Sequence, residues 1–250
     1  MIFKRLTRAL GIGGPSVETE LSDSLVRPGG LLTGEIRVCG GDHDVEVQGI
    51  FLSLVTRVEV EYEDLEGEEQ EALRNKEFHR VALTEPFSLA AEEEHGVSFE
   101  VELPWELPLS QVDGQHLTGM TVGVRTELAV EDALDKGDLD PVEVEPLPSQ
   151  QSVLDAIAAL GFKLKGADVE DGTIGGVEHD LPFYQEIEFL PTGDYSDVVE
   201  NIEVSFFTTE DELVVVVDGE DELATYRIGH EDALEYPWES ELDEWLRSLG

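Results

Sequence analysis

Six histidines, one cysteine and 58 Asp+Glu are the groups in this chain that could do chemistry. His43, His79, His95, His116, His179 and His230 sit singly, in or near stretches that read as loops, and no Gly-x-Ser-x-Gly elbow accompanies them. A nucleophile needs its base within hydrogen-bond reach, so this pattern does not point to a Ser–His or Cys–His triad. Carboxylate pairs for glycoside hydrolysis could be drawn from 58 acids in many ways, and that abundance makes any one pair uninformative. Metal motifs are equally scarce. There is no His-Glu-x-x-His, and Asp135 to Asp140 lacks the order and closing Glu of an EF-hand loop. Glu92, Glu93, Glu94 and His95 read either as a weak cation site or as a solvated turn. Gly11-Ile12-Gly13-Gly14 follows a basic helical pattern rather than a strand, which suits a hinge and not a phosphate-binding turn. Cys39 alone permits neither an internal disulfide nor a cysteine zinc cluster. The expectation is a non-enzyme with no cofactor, no metal and no catalytic residue.

Charge narrows the partners. The formal net charge of -43 over 250 residues opposes binding to a phosphate backbone, which requires Lys and Arg to release counterions. Anionic membrane faces are disfavoured for the same reason. The acids are spread along the chain, and apolar residues still make up 40%, so the composition is that of a folded protein and not of a disordered one. We read the surface as adapted to salt. At multimolar salt the Debye length falls to about 3 Å and self-repulsion is screened. Apolar runs such as Leu213 to Val217 stop far short of a membrane span, and Lys4, Arg5 and Arg8 interrupt any signal-peptide h-region. The expected location is cytoplasmic.

The elements that must position any site are mostly strands. Apolar residues keep a single parity within each of three runs: Ile50, Leu52, Leu54, Val58, Val60 and Tyr62; Val97, Phe99, Val101 and Leu103; and Met120, Val122, Val124, Leu128 and Val130. This period of two marks strands with one buried face. Parity switches between Val47 and Ile50, which predicts a bulge at Gln48 and Gly49. The acid-rich segment Glu61 to Glu77 reads as a long solvated loop or a short helix. Pro141, Pro146 and Pro148 mark a domain boundary near residue 137. Beyond it, Ser149 is placed to cap a helix over 149–161 bearing Val153, Ile157 and Leu160, and strands return at Phe162–Val169, Leu181–Leu190, Ile202–Phe207, Leu213–Val217 and Leu223–Ile228.

Gly11-Ile12-Gly13, Val17-Glu18-Thr19, Arg27-Pro28-Gly29, Gly40-Gly41 and Ile50-Phe51-Leu52-Ser53-Leu54-Val55-Thr56 occur in an order that resembles the sporulation-control protein family, in an acidic, haloarchaeal-type form. The likeness continues through Pro146-Leu147-Pro148-Ser149-Gln150-Gln151 and Leu181 to Phe189. It implies an all-β fold of two tandem arrestin-like antiparallel β-sandwich domains and a role as an adaptor or regulator that binds other proteins. The division that follows is 1–14 for a basic amphipathic helix and hinge, 15–137 and 138–235 for the sandwiches, and 236–250 for a terminal amphipathic helix. The alternative is a small-molecule or carbohydrate-binding sandwich, with a carboxylate pair for hydrolysis, which a pocket at Trp105 or Tyr184 with two facing carboxylates would favour.

Both ends carry candidate protein-binding residues. Ile2, Phe3, Leu6 and Leu10 fall near one helical face while Lys4, Arg5 and Arg8 lie elsewhere, a local inversion of the overall charge. That helix reads as a dock for an acidic partner or weakly for a membrane interface, or as a segment packed on its own sandwich. Trp238, Leu242, Trp245, Leu246 and Leu249 share one helical face, which suits a cap on the second sandwich, a docking surface, or the pairing helix of a homodimer. If the acidic surface is a salt adaptation, circular dichroism will show loss of β structure on dialysis from multimolar to about 0.1 M salt. Full retention of the spectrum would count against it.

Overall fold

In a computed structural model, residues 8–9, 13–63, 69–130, 138–219 and 222–250 are described. Before the first long helix, α1 (Pro148–Ala159), run β1 (Arg8–Ala9), β2 (Ser16–Leu21), β3 (Leu25–Val26), β4 (Leu31–Cys39), β5 (Val45–Glu63), β6 (Glu69–Ala82), β7 (Phe87–Leu89), β8 (Glu94–Glu102), β9 (Gln111–Val112), β10 (Gln115–His116), β11 (Val122–Val130), β12 (Asp138–Pro141) and β13 (Glu143–Val144). After it come β14 (Phe162–Asp171), β15 (Phe183–Pro191), β16 (Ile202–Thr208), β17 (Glu212–Asp218), β18 (Leu223–Gly229), α2 (His230–Glu235) and α3 (Trp238–Ser248).

The result is an all-β, sandwich-like fold with short helices. In the first half a sheet ordered β1-β2-β4-β8 faces the strands β12-β11-β5, with β6 and β7 on the far side of β5. Inward residues include Ile50, Leu52, Leu54, Val124 and Leu128, which the alternation selected, together with Val17, Ile36 and Val38, and all are buried. The two layers are also joined by a polar contact, since Thr19 Oγ1 of β2 donates to Thr126 Oγ1 of β11 at 2.6 Å in the core. In the second half β14 to β18 form consecutive antiparallel pairs, and α1, α2 and α3 supply the opposing layer. Helix α1 buries Val153, Leu154, Ala156 and Ile157, and α3 buries Trp238, Leu242 and Leu246.

Several expectations meet the structure closely. Ala129 pairs with Gly49 and Val130 with Val47, so Gln48 is the extra residue of a bulge, and Gly49 carries the positive φ of 152° that this kink imposes. The second-half strands lie where alternation put them, within a few residues. Strand β17 buries Leu213, Val215 and Val217 in the main core and Val214 and Val216 in a separate cluster on the other face. A strand covered on both faces reads as an unbroken apolar run, which explains that stretch of sequence.

Other expectations need correction. The described part of Glu61 to Glu77 is neither loop nor helix, because β6 pairs with β5 from Phe51↔Ala82 out to Glu63↔Glu69. Acidic residues are poor strand formers, but the ladder to a long partner overrides that preference. Ser149 does not cap α1. Pro148 opens the helix, Gln150 Oε1 accepts the Leu147 N–H at 2.8 Å, and Ser149 Oγ instead meets His230 Nδ1 at 2.7 Å. His43 and His179 lie outside strands and helices, His95, His116 and His230 lie at the ends of β8, β10 and α2, and His79 lies within β6. At Arg8 the backbone is extended, pairing with Val17, so the proposed N-terminal helix does not include this residue. Strands β12 and β13, on the far side of the boundary placed near residue 137, hydrogen-bond to β11 and β3 of the first half.

The Thr19–Thr126 contact gives a test. Thr19→Val strands one buried hydroxyl and should cost about 1–3 kcal/mol, while Thr19→Val with Thr126→Val removes both partners and should restore most of that loss. Denaturant unfolding at fixed salt reads the cycle; a double variant as weak as the sum of the singles would show that the bond is not the link.

Candidate functional site on the outer face of the second sheet

The outer face of β14 to β17 is built by register. Asp168 lies opposite Glu186, Glu170 opposite Tyr184, Glu188 opposite Glu203 and Glu203 opposite Asp218. Period two on each strand sends these side chains to one side while Ala167, Val169, Ile187 and Val204 enter the core. Oxygens of Asp168, Glu170 and Glu186 lie within 4.8 Å of one another, a hard oxygen-only set that could accept one cation. Lys165 answers part of the charge through Glu188 at 2.5 Å, and Asn201 Nδ2 donates to Glu188 at 3.1 Å and to Glu203 at 3.3 Å.

Crowding like charges on a half-buried surface shifts their titration. Burial, and then Glu203, Asp168, Glu170 and Asp218, push the Glu186 carboxyl up to about 8. Asp168 is raised by burial and by Glu188, with Lys165 opposing, and its Oδ1 is enclosed without a hydrogen-bond partner among the described residues. Glu203 is raised by burial and by Asp218, Asp168 and Glu188. Tyr184 is pushed up to about 12 by burial and the neighbouring carboxylates.

Beside the acids the same face turns apolar. Phe207, Val214 and Val216 form a small cluster roofed by Ile174 and Val177 and flanked by Tyr184. The loop carrying that roof is tied to the first half: Glu106 accepts the Asp180 N–H at 2.9 and 3.1 Å and the Leu181 N–H at 3.0 Å. Burial raises the Glu106 carboxyl, and these two N–H groups pull it back. Nearby, the Gln185 side chain accepts from Leu109 N–H at 2.9 Å and donates to Leu109 O at 2.7 Å, and Thr208 Oγ1 donates to Trp105 O. The cleft between Trp105, Glu106, Phe183, Tyr184 and Phe207 encloses about 10 Å³, room for about one water, and Glu106 is its one carboxylate. It is not the two-carboxylate pocket that the carbohydrate reading called for.

The residues singled out at the chain ends fall elsewhere. Ile2, Phe3, Lys4, Arg5, Leu6 and Leu10 lie outside the described residues, and Arg8 is in β1. Trp238, Leu242 and Leu246 are buried against the chain's own core, and Trp245 is half-buried beside Gly219. Trp238 Nε1 donates to Ala233 O at 2.9 Å, so its polar edge is satisfied within the chain. Of the strand arginines, Arg125 pairs with Glu77 at 2.8 Å and Arg57 donates to Gly119 O at 3.2 Å. Sequence reasoning missed the outer-face site because Asp168–Glu170 and Glu186–Glu188 were only two of many acid pairs at spacing i, i+2; their apposition is a property of register.

Two facing β layers in the first half and a strand-and-helix second half define the class as an all-β, sandwich-like fold. Residues 3–221 match the SpoOM protein family model, and the chain belongs to that family. It is similar to the sporulation-control protein spo0M of Bacillus subtilis strain 168, at 32% identity over 217 residues, covering 86% of this chain and 79% of that protein. It also superposes on the crystal structure of Spo0M from Bacillus subtilis with a TM-score of 0.81 and 28% identity, over 96% of this chain and 100% of the other. This kinship supports a regulatory role. No helix among the described residues is long and apolar enough to cross a membrane.

Glu186 generates a prediction. It holds its proton in the folded state up to about 8 but ionises near 4.5 when unfolded, so the folded state binds more protons between those values. Stability should therefore be full below about pH 4.5 for this group and fall as pH rises through 8, by about 1–3 kcal/mol after allowance for solvent screening. Glu186→Gln should flatten this decline in unfolding curves at constant salt; an unchanged slope would show that Glu186 is not its source.

Proposed function

We propose that this protein is a non-enzymatic, cytoplasmic, salt-adapted adaptor of the sporulation-control type, acting by binding other proteins. The observation that carries this reading is the match to a sporulation-control protein along nearly the whole chain, in sequence and in fold. The geometry supports where binding would occur. The α3 face is occupied internally, and this reading assigns docking to the basic N-terminal residues and the strand edges. Strands β8, β6 and β18 each pair along one side among the described residues, with β4, β5 and β17 respectively. Such edges accept an added strand unless charge protects them, and β8 itself carries Glu94, Glu100 and Glu102.

The test is capture from cytosolic extract at multimolar salt, followed by reconstitution from purified components. The full chain should form a defined complex, and deletion of residues 1–12, with folding checked by circular dichroism, should weaken it about tenfold or more if the basic N-terminus docks. Recovery of self-association alone, with no reconstituted partner, would sink the adaptor reading.

A further inference from the structure

Strands β14 and β15 are antiparallel neighbours, and a turn of about two to five residues commonly joins such a pair. Here residues 172–182 supply a far longer connection, pinched at its neck by Gly172 N–H donating to Pro182 O at 3.2 Å. A closed neck and a long body make it an Ω-type loop. It folds down on the outer face, placing Ile174 and Val177 on Phe207, Val214 and Val216 and the His179 ring 5.0 Å from that of Phe207. Those three residues are at most 4% exposed although they point away from the main core. The loop, with Tyr184 beside it, keeps water from them.

We propose that this loop is a displaceable strap, latched by Glu106, over a docking face for a partner segment that presents apolar side chains flanked by Lys or Arg. The inference rests on the adaptor reading and names the surface and partner chemistry for it. Three features make the strap separable from the sheet. A Cβ at Gly172, Gly175 or Gly176 would meet nothing within 4 Å, so close packing does not hold these positions. Both ring nitrogens of His179 are enclosed without a hydrogen-bond partner among the described residues, so the closed state forgoes bonds that water would provide on opening. The polar hold on the strap's far end comes from Glu106, whose carboxylate accepts the Asp180 and Leu181 N–H groups.

The face beneath dictates what fits. In the row next to Phe207 and Val214 stand Tyr184 and Glu170, and the following rows bring Asp168, Glu186, Glu203 and Asp218. An apolar residue seated on Phe207 and Val216 would bring its neighbours against these carboxylates, where a Lys or Arg is complementary and an acid is repelled. High salt screens attraction beyond a few ångströms, so the pairing has to be by contact, while apolar burial continues to operate.

The experiment has two readouts on the full chain at multimolar salt. In native-state hydrogen exchange, amides of 172–181 should open well below the global barrier, and Glu106→Ala should lower their protection by roughly tenfold with β16 and β17 unchanged. If Glu106→Ala does not fold, Glu106→Gln, which keeps one acceptor oxygen, should show a smaller change in the same amides. The second readout is fluorescence anisotropy with a labelled synthetic peptide of alternating Phe and Lys, beside the same peptide with Glu for Lys. The Lys peptide should bind the Glu106 variant several-fold tighter than the parent, Val214→Thr should weaken it, and the Glu peptide should not bind. Strap amides that exchange only with global unfolding, or Lys-peptide binding that is absent or indifferent to Glu106 and Val214, would overturn the strap. A reconstituted protein partner insensitive to both substitutions would overturn the strap and leave the adaptor reading standing; strap opening and peptide binding as expected, without any reconstituted partner, would remove the adaptor reading alone.

Discussion

Strand β5 is the element on which the rest depends. Its 19 residues pair with β11, β6 and β7, and at Glu59 it meets Glu170 of β14. One continuous backbone thus serves as a wall of the first sandwich and as the neighbour of the second sheet. The hydrophobic core follows it: a single cluster of buried residues runs from Val17 through Ile50 and Leu128 to Ile187, Trp238 and Leu246. With no disulfide available, burial of this core is the main force opposing both chain entropy and charge repulsion.

The crossing from one half to the other is polar where the core is apolar. Gln185 completes the backbone groups of Leu109, Glu106 completes those of Asp180 and Leu181, and Ala167 N–H donates to Thr118 O at 2.9 Å. Side chains here satisfy backbone that has left its own strand, which buried amides require. The second half is arranged to keep its two faces different in kind. Its inner face is sealed by three helices, whereas its outer face combines a row of mutually repelling carboxylates with a small apolar corner that depends on one loop for cover.

That contrast is the basis of the docking face proposed above. A sheet face on which burial and neighbouring carboxylates raise Glu186, Asp168 and Glu203 is a poor place for further negative charge and a favourable one for a cation or a basic side chain. The N-terminal ten residues and the strand edges remain additional contacts within the adaptor reading, while the tryptophan stripe of α3 is committed to holding the second half together.

Much of the architecture was legible from residue order because it rests on local rules. Alternation located the strands, the parity switch located the bulge at Gln48, and spacing located the inner face of α3. The acidic count likewise set the expectation about salt without any coordinates. What sequence could not decide were the relations set by pairing. Poor strand formers in 69–77 became β6 because a long partner ladder was available, and Ser149 gave up a cap to meet His230, 81 residues away. The apposition of Asp168 with Glu186, and of Ile174 with Val214, depends on strand register and on a loop folding back over it. Local propensity carries no information about register, so only the tertiary structure separated six meaningful carboxylates from the many that simply face solvent.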